Sequence, residues 1–274
     1  MLEKETKKEI IKEIVNFENL ENIIIKKIDV KIPTKNNIKE KTELNLIYIN
    51  SIQAHNKDIY YLTTFPSGNL ITVSKDWSIK IWDKNFNLIQ LIENAHEDGI
   101  EFIDVKDENN FISCSSDYSI RIWKKEKDIF KLNQTINNAH SSNVNQVIYT
   151  LNNELISCSW DKTIIIWELN NNLYQKKTII NHNGKVCAIL LLEKRNILIT
   201  SGTDGTKVWK FNNLEFIYSI DYTICGCWNC LKQIDNDRII VRGKKKKKHL
   251  ILFQLIKKML LRKLKLAFFL MVFV

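Results

Sequence analysis

The sequence has few of the residues that usually form its turns. It contains 2 Pro and 7 Gly in 274 residues, against 31 Asn. Asn enters the backbone conformations of positive φ more readily than most other residues with a side chain. We therefore expect Asn to fill many turns. Hydrophobic residues make up 45% and charged residues 26% of the chain, a balance that excludes a wholly disordered protein.

Acidic residues are missing from the C-terminal end. Residues 244–274 contain ten Lys or Arg and no Asp or Glu, so they carry the whole formal net charge of +10. Residues 1–243 hold 31 basic and 31 acidic residues. Nucleic-acid binding depends on clustered basic residues that neutralise phosphates. A neutral body therefore predicts no nucleic acid as a partner of the body, and leaves a membrane surface as a partner of the tail only.

Long apolar runs are also lacking. The sequence has no stretch of 18 apolar residues, so no ordinary transmembrane helix is predicted. Met1–Lys8 is charged and unlike a secretory signal. The six Cys lack the dense pattern of a small disulfide-bonded domain. These features predict a reducing compartment, the cytoplasm or the nucleus.

The strongest signal is internal repetition. Four His residues are spaced by 41, 44 and 42 residues, and four Trp residues have the same spacings, each 27 residues after its His. A Ser follows each His by 19 residues and an Asp follows by 21, except that the fourth unit has Thr203 there and Asp204 one place later. The repeated sets are His55, Ser74, Asp76 and Trp82; His96, Ser115, Asp117 and Trp123; His140, Ser159, Asp161 and Trp167; and His182, Ser201, Asp204 and Trp209.

Each repeat of about 42 residues also carries four short segments that are rich in β-branched and aromatic residues. In the third unit these are residues 144–149, 155–159, 163–168 and 173–176, a pattern that predicts one antiparallel sheet of four strands. Together with Ala-His before the first strand and the Ser-x-Asp…Trp run, as in Ser74–Asp83 and Ser159–Glu168, this chain resembles the WD-repeat β-propeller family. The resemblance covers residues 54–220 strongly and 221–256 weakly. It implies an all-β propeller with four clear blades plus a degenerate fifth, incomplete or open.

The repeats predict three regions. Residues 1–43 form an N-terminal extension with an amphipathic helix over Glu3–Phe17 and a linker. Residues 44–256 form the propeller, and 257–274 a basic and apolar tail. The repeats lie near 54–93, 94–137, 138–179 and 180–219, with the degenerate unit at 220–256, where Phe253 takes the Trp position. The family often completes its last blade with an N-terminal strand, a role open to Leu44–Ile52.

Asp, His and Ser together also invite a hydrolase interpretation. A catalytic triad is needed once, whereas this set recurs four times at one spacing, so we interpret the sets as structural. The resemblance implies a tetrad in which the Trp indole bonds the Ser hydroxyl, Ser bonds His, and His bonds Asp. No catalytic residue, metal site or cofactor is predicted. Cys225, Cys227 and Cys230 supply too few ligands for zinc.

In the resembled family, partners bind around the central channel through the residues one and three places after the His and the residue before the Asp. From these positions we select Trp160, Asn143, Lys185, Asp58 and Glu97 as partner-binding residues, with Trp160 as an interface anchor. Packing of Trp160 on a neighbouring loop is the equal alternative. The predicted function is a non-catalytic scaffold or adaptor for protein or peptide partners. The alternative is an adaptor attached to a membrane surface or a partner through its basic tail.

The composition changes abruptly after Lys244–Lys248. One hypothesis is a reading-frame slip in an adenine-rich stretch, with further blades lost downstream. Two rivals stay open: a real but divergent fifth blade containing Leu250–Leu255, and an amphipathic surface helix that presents Lys257, Lys258, Arg262 and Lys265 on one side.

Overall fold

A computed structural model describes residues 23–29, 45–220, 231–233, 238–245 and 247–254. The chain divides into two compact units, Met1–Ile59 and Tyr60–Val274. The helix predicted over Glu3–Phe17, the Cys cluster 225–230 and the tail 257–274 lie outside the described residues. In the described part of the chain, no helix is long and apolar enough to span a membrane.

The first unit contains a two-stranded antiparallel sheet. Its strands are β1 (Ile23–Asp29) and β2 (Asn45–Ile52), and their register shifts between Ile25 and Lys26. The second strand, which has a possible role in completing the last blade, pairs with β1. Completion of the blade stays a prediction.

Four four-stranded antiparallel sheets follow, which confirms the all-β fold with four clear blades. Each sheet runs in sequence order from an inner to an outer strand. The strands are β3 (Ile59–Thr64), β4 (Leu70–Ser74), β5 (Ile79–Trp82) and β6 (Leu88–Ile92); β7 (Ile100–Asp107), β8 (Asn110–Ser115), β9 (Ile120–Glu126) and β10 (Ile129–Ile136); β11 (Val144–Tyr149), β12 (Leu155–Ser159), β13 (Thr163–Asn170) and β14 (Leu173–Asn181); and β15 (Val186–Leu192), β16 (Ile197–Gly202), β17 (Gly205–Lys210) and β18 (Glu215–Ile220).

Burial explains the order of strands within a blade. Every residue of β12 is buried, whereas most residues of the outer strand β14 are exposed. A strand covered on both faces can be apolar throughout, while an outer strand keeps one face in water. The core therefore lies between successive sheets, as where Phe65 of the first blade packs against Phe111 and Phe130 of the second.

Turns with positive φ connect these strands without much Gly. Among the described residues, six Asn adopt positive φ, as the composition predicts. Trp77, Tyr118 and Lys162 do so at equivalent places in three blades, at φ of 69°, 70° and 73°. Their carbonyl groups accept hydrogen bonds from the N–H groups of Ala95, His140 and His182 respectively. Each strained turn thereby ties one blade to the loop that opens the next.

A fifth, three-stranded sheet contains β19 (Leu231–Gln233), β20 (Arg238–Lys245) and β21 (Lys247–Gln254). Phe253 pairs with Ile239 just as Trp167 pairs with Leu155 in the third blade. The strand predicted at 250–255 is thus present as far as Gln254, and Leu255 lies outside the described residues.

Candidate functional site

The repeated polar residues form a continuous hydrogen-bonded chain in the second and third blades. In the second blade, Trp123 Nε1 donates to Ser113 Oγ over 2.9 Å, and the ring of His96 lies 2.8 Å from the same oxygen through Nε2. His96 Nδ1 lies 2.9 Å from Asp117 Oδ2. Because the ionised Asp117 carboxylate can only accept, Nδ1 of the neutral His96 ring carries the proton, and Nε2 accepts from the Ser113 hydroxyl.

The third blade repeats the same chain. Trp167 Nε1 donates to Ser157 Oγ, which lies 2.8 Å from His140 Nε2, and His140 Nδ1 lies 2.9 Å from Asp161 Oδ2. In the first blade, Trp82 Nε1 donates to Thr72 Oγ1 over 3.1 Å. His55 belongs to the first unit and is buried.

The hydroxyl that we assigned to these chains is wrong in all four units. Ser74, Ser115 and Ser159 accept the N–H of the turn Asp instead, and Ser201 bonds Thr206. Trp123 pairs with Phe111. A strand rises about 3.3 Å per residue, so Ser113 lies roughly 7 Å along β8 from Phe111 and Ser115 roughly 13 Å. The indole reaches only the nearer hydroxyl.

The fourth blade keeps its hydrogen-bonded set of Trp, hydroxyl, His and Asp through two compensating changes in residue spacing. His182 Nε2 lies 2.8 Å from Thr200 Oγ1, and Trp209 Nε1 donates to the same oxygen. The His-to-hydroxyl separation is 18 residues here and 17 in the second and third blades, while the hydroxyl-to-Trp separation is 9 instead of 10. One added residue between β15 and β16 and one lost between β16 and β17 leave the His-to-Trp spacing unchanged.

The added residue between β15 and β16 also places the acidic residue one position later in the sequence. Asp204 Oδ1 lies 2.9 Å from His182 Nδ1, and Asp204 Oδ2 lies 2.8 Å from Lys207 Nζ. Asp204 therefore occupies the position of Asp161. Thr203 is therefore the residue before the acid in the fourth blade, and Gly202 is buried.

Sequence reasoning missed the hydroxyls two residues after the acid in the first three blades. Asp117 Oδ1 accepts from both the N–H and the hydroxyl of Ser119, and Asp161 Oδ1 does so from Thr163. Asp76 and Ser78 repeat this pair. The signal was present as Asp-x-Ser/Thr, which is typical of an Asx turn. These bonds hold the carboxylate toward the His.

Burial and hydrogen bonding set the pKa values of this chain. Burial lowers the pKa of His96 and of His182, which keeps both rings neutral, and their Asp partners oppose the effect only in part. Burial opposes ionisation of Asp117 and Asp161, but hydrogen bonds from the His ring, from a hydroxyl and from a backbone N–H together outweigh it and lower the pKa of each carboxyl. Asp117 and Asp161 are therefore ionised, and His96 and His182 are neutral, at pH 7.

This arrangement leaves no free nucleophile. Ser113 and Ser157 are fully buried, and each hydroxyl already accepts from an indole and faces an imidazole nitrogen. A nucleophilic Ser must present its oxygen to a substrate. The chains instead connect the centre of each blade to its loops, since Asp117 and Asp161 also accept the N–H groups of Glu97 and Ser141.

Three of the predicted partner-binding residues lie together. Lys185 Nζ lies 4.1 Å from the centre of the Trp160 ring, and the Trp160 N–H donates to the Asn143 carbonyl over 3.1 Å. Trp160 is half-buried and Lys185 is exposed. Glu97 is exposed in the second blade, where its N–H bonds Asp117, and Asp58 is exposed in the first unit.

A buried acid beside this cluster was not anticipated. Glu101 of β7 is only 3% exposed, and its Oε1 accepts from the Ser116 hydroxyl. Ser116 Oγ in turn accepts from Asn143 Nδ2 over 2.7 Å. Burial raises the pKa of Glu101 from 4.5 to about 7, and the nearby Asp98 adds to the rise. The only sequence signal was an acidic residue within the apolar strand Ile100–Ile103.

Metal ligands do not cluster in the part of the chain that the structure describes: no group of three or more His, Cys, Asp or Glu is placed to hold an ion there. Residues 47–83, 88–124 and 130–168 match the family model described as WD domain, G-beta repeat. Each matched segment carries one Trp of the repeated sets, at 82, 123 and 167. No curated protein matches the chain.

Proposed function

We propose that this chain is a non-catalytic scaffold or adaptor that presents one end of its blades to protein or peptide partners. The match of residues 47–83, 88–124 and 130–168 to the WD-repeat model supports this proposal. WD repeats are generally protein-interaction scaffolds. Rigid repeated sheets suit this task because they hold loops from several blades in a fixed relation.

The observation that supports the proposal is the contact between Trp160 and Lys185. Trp160 lies in the hairpin between β12 and β13, and Lys185 in the loop before β15, so the pair joins two blades. A half-buried Trp under a cation offers a large apolar ring that is already held in place, and such residues often dominate interface energies. Asn143 anchors the same hairpin through its carbonyl group.

The repeated Ser–His–Asp sets support the non-catalytic part of this proposal. In the second and third blades the Ser and His of each set are buried, the Asp is half-buried, and the members bond one another. Such sets stabilise each blade and leave the loops to carry specificity. The tail-anchored alternative rests on residues 257–274, outside the described part of the chain, and stays a prediction.

The proposal is tested by affinity capture from the native cells, with the tagged full chain and mass spectrometry as the readout. We expect Trp160→Ala to lose partners that the wild-type protein retains, with little change in melting temperature. Leu151→Ala is the matched control, because Leu151 is 81% exposed in the opposite hairpin of the same blade. It should retain every partner.

An identical partner set for the wild-type and Trp160→Ala proteins would overturn the proposal for this surface. A large drop in the melting temperature of Trp160→Ala would show instead that the ring packs as part of the fold. Lys185→Ala then separates the two explanations, since Lys185 is exposed and its removal leaves the Trp160 side chain intact.

A further inference from the structure

Three buried side-chain atoms lack a hydrogen-bond partner among the described residues: Glu101 Oε2, Arg121 Nε and Asn145 Oδ1. A buried polar atom without a partner costs free energy, and a carboxylate oxygen costs more than a neutral one. Native proteins rarely keep such atoms unless water, an ion or a ligand satisfies them. Two of the three atoms are acceptors on neighbouring inner strands.

Glu101 and Asn145 occupy the same structural position. Each is the bulged residue of the first strand of its blade, β7 for Glu101 and β11 for Asn145, and each is the fifth residue after the repeated His. The two strands pack against each other. A bulge leaves its residue outside the regular pairing and redirects the side chain, and bulges are common next to binding sites.

Both side chains are held so that their free atoms are acceptors. Asn145 Nδ2 donates to the Val186 carbonyl over 2.6 Å, which fixes Oδ1 as the unpartnered atom. Ser116 occupies Oε1 of Glu101 and leaves Oε2 open. A ligand that satisfies both oxygens must therefore donate hydrogen bonds, and one of the two acceptors is a carboxylate.

The position of these acceptors connects them to the proposed partner surface. The backbone carbonyl of Asn143 accepts the backbone N–H of Trp160, and the side-chain amide of Asn143 donates to the Ser116 hydroxyl. Ser116 in turn donates to Glu101. Asp98, in the exposed loop before β7, adds a second acid close enough to raise the pKa of Glu101. One connected network thus runs from the aromatic anchor to the buried Glu101 carboxyl beside the exposed Asp98.

We propose that Glu101 and Asn145 bind the guanidinium group of an arginine side chain supplied by a partner that docks on the Trp160 end of the blades. This inference rests on the proposed function, since it names the chemistry of the partner at that surface. Guanidinium is favoured over an ammonium group because its planar fork carries five donors and can serve two acceptors that come from two blades. A buried carboxylate disfavours neutral and anionic side chains, so the site selects for a positively charged group.

The test uses two blocked pentapeptides, Ac-Gly-Ala-Arg-Ala-Gly-NH2 and the same peptide with citrulline in place of arginine. Citrulline has nearly the same shape but no charge. The full chain is titrated with each peptide at pH 8, followed by NMR chemical shifts. We expect the arginine peptide to bind at least tenfold more tightly, and we expect Glu101→Gln to remove that difference.

Asp104→Asn is the matched control. Asp104 is a half-buried acid of the same strand, β7, but its Oδ2 already accepts the Tyr149 N–H. It should keep the preference for arginine. Equal binding of the two peptides to the wild-type protein, or no binding of either, would overturn the inference and leave ordered water as the partner of both oxygens. That comparison decides the matter even if a variant does not fold.

The peptide and capture experiments fail independently. Loss of partners from Trp160→Ala together with equal binding of the two peptides keeps the scaffold proposal and rejects the arginine site. A clear preference for the arginine peptide with unchanged capture by Trp160→Ala supports the arginine site at Glu101 and Asn145 and rejects Trp160 as the anchor.

Discussion

Gln90 and Phe130 exchange two hydrogen bonds across a blade boundary. Gln90 Nε2 donates to the Phe130 carbonyl and the Phe130 N–H donates to Gln90 Oε1, each over 2.8 Å. Gln134 makes the same pair of bonds with Tyr174 in the next blade. In each pair, one side-chain amide makes the two hydrogen bonds that a neighbouring strand would make, and so joins the outer strands of successive sheets.

We expect Gln134→Ala to lower the free energy of unfolding by roughly 1–3 kcal/mol, because both backbone groups of Tyr174 lose their partner. Urea unfolding followed by circular dichroism measures the change. Gln175→Ala is the control, since Gln175 follows Tyr174 on the same strand and is exposed. Equal losses in the two variants would show that the amide bonds contribute nothing.

The identity of the central hydroxyl is tested by Ser157→Ala and Ser159→Ala. We expect Ser157→Ala to shift the indole N–H resonance of Trp167 and to lower stability by about 1–3 kcal/mol, since it leaves Trp167 Nε1 and His140 Nε2 unsatisfied. Ser159→Ala should leave that resonance in place, because Ser159 bonds the turn instead. The opposite pattern would restore Ser159 as the bridge.

Acid should weaken the fourth blade through Asp204. Burial opposes ionisation of this carboxyl, but hydrogen bonds from Lys207 and His182 outweigh it and lower its pKa from 3.8 to about 2. The unfolded chain therefore binds the proton first as the pH falls. The stabilisation is complete above pH 4 and is lost between about pH 4 and pH 2.

We expect Asp204→Asn to flatten the dependence of unfolding free energy on pH in that window. Asp128→Asn should not, because the Asp128 side chain is 99% exposed. Equal slopes for the wild-type and Asp204→Asn proteins would show that the carboxylate of Asp204 is not specifically stabilised in the fold.

Glu101 should have the opposite effect on stability. Its folded pKa of about 7 lies above its ordinary value of 4.5, so the folded state holds the proton more tightly. Stability should fall as the pH rises from about 4.5 to 7, by on the order of 2–3 kcal/mol. Glu101→Gln should remove this loss and melt above the wild-type protein at pH 8, as measured by thermal unfolding at pH 5 and pH 8. A lower melting temperature for the variant at pH 8 would contradict the unpaired carboxylate.

Much of the fold follows from spacing. The recurrence of His and Trp every 41 to 44 residues predicted four blades, and the structure has four four-stranded sheets. The His–Asp contacts in the second and third blades also lie where the spacing placed them. Asn in the turns followed from the shortage of Gly. These features are local or strictly periodic, so one chain carries enough information to find them.

The central hydroxyl could not be found in this way. Each of the first three units has hydroxyls at two positions that are two residues apart, such as Ser157 and Ser159, and these share one face of the strand. Spacing alone does not say which one the indole reaches. In the fourth unit, the unchanged spacing of 27 residues concealed an added and a lost residue, and it wrongly placed Ser201 in the chain.

The sequence by itself determined the blades, their order and the His, Asp and Trp residues that mark them, because each lies within one repeat. Tertiary structure alone decided which groups meet across blades: Gln90 with Phe130, Lys185 with Trp160, and Asn143 with Ser116. It also decided that Glu101 is buried with one oxygen unpartnered. These relations depend on how two sheets pack, and no periodicity within a single repeat encodes that packing.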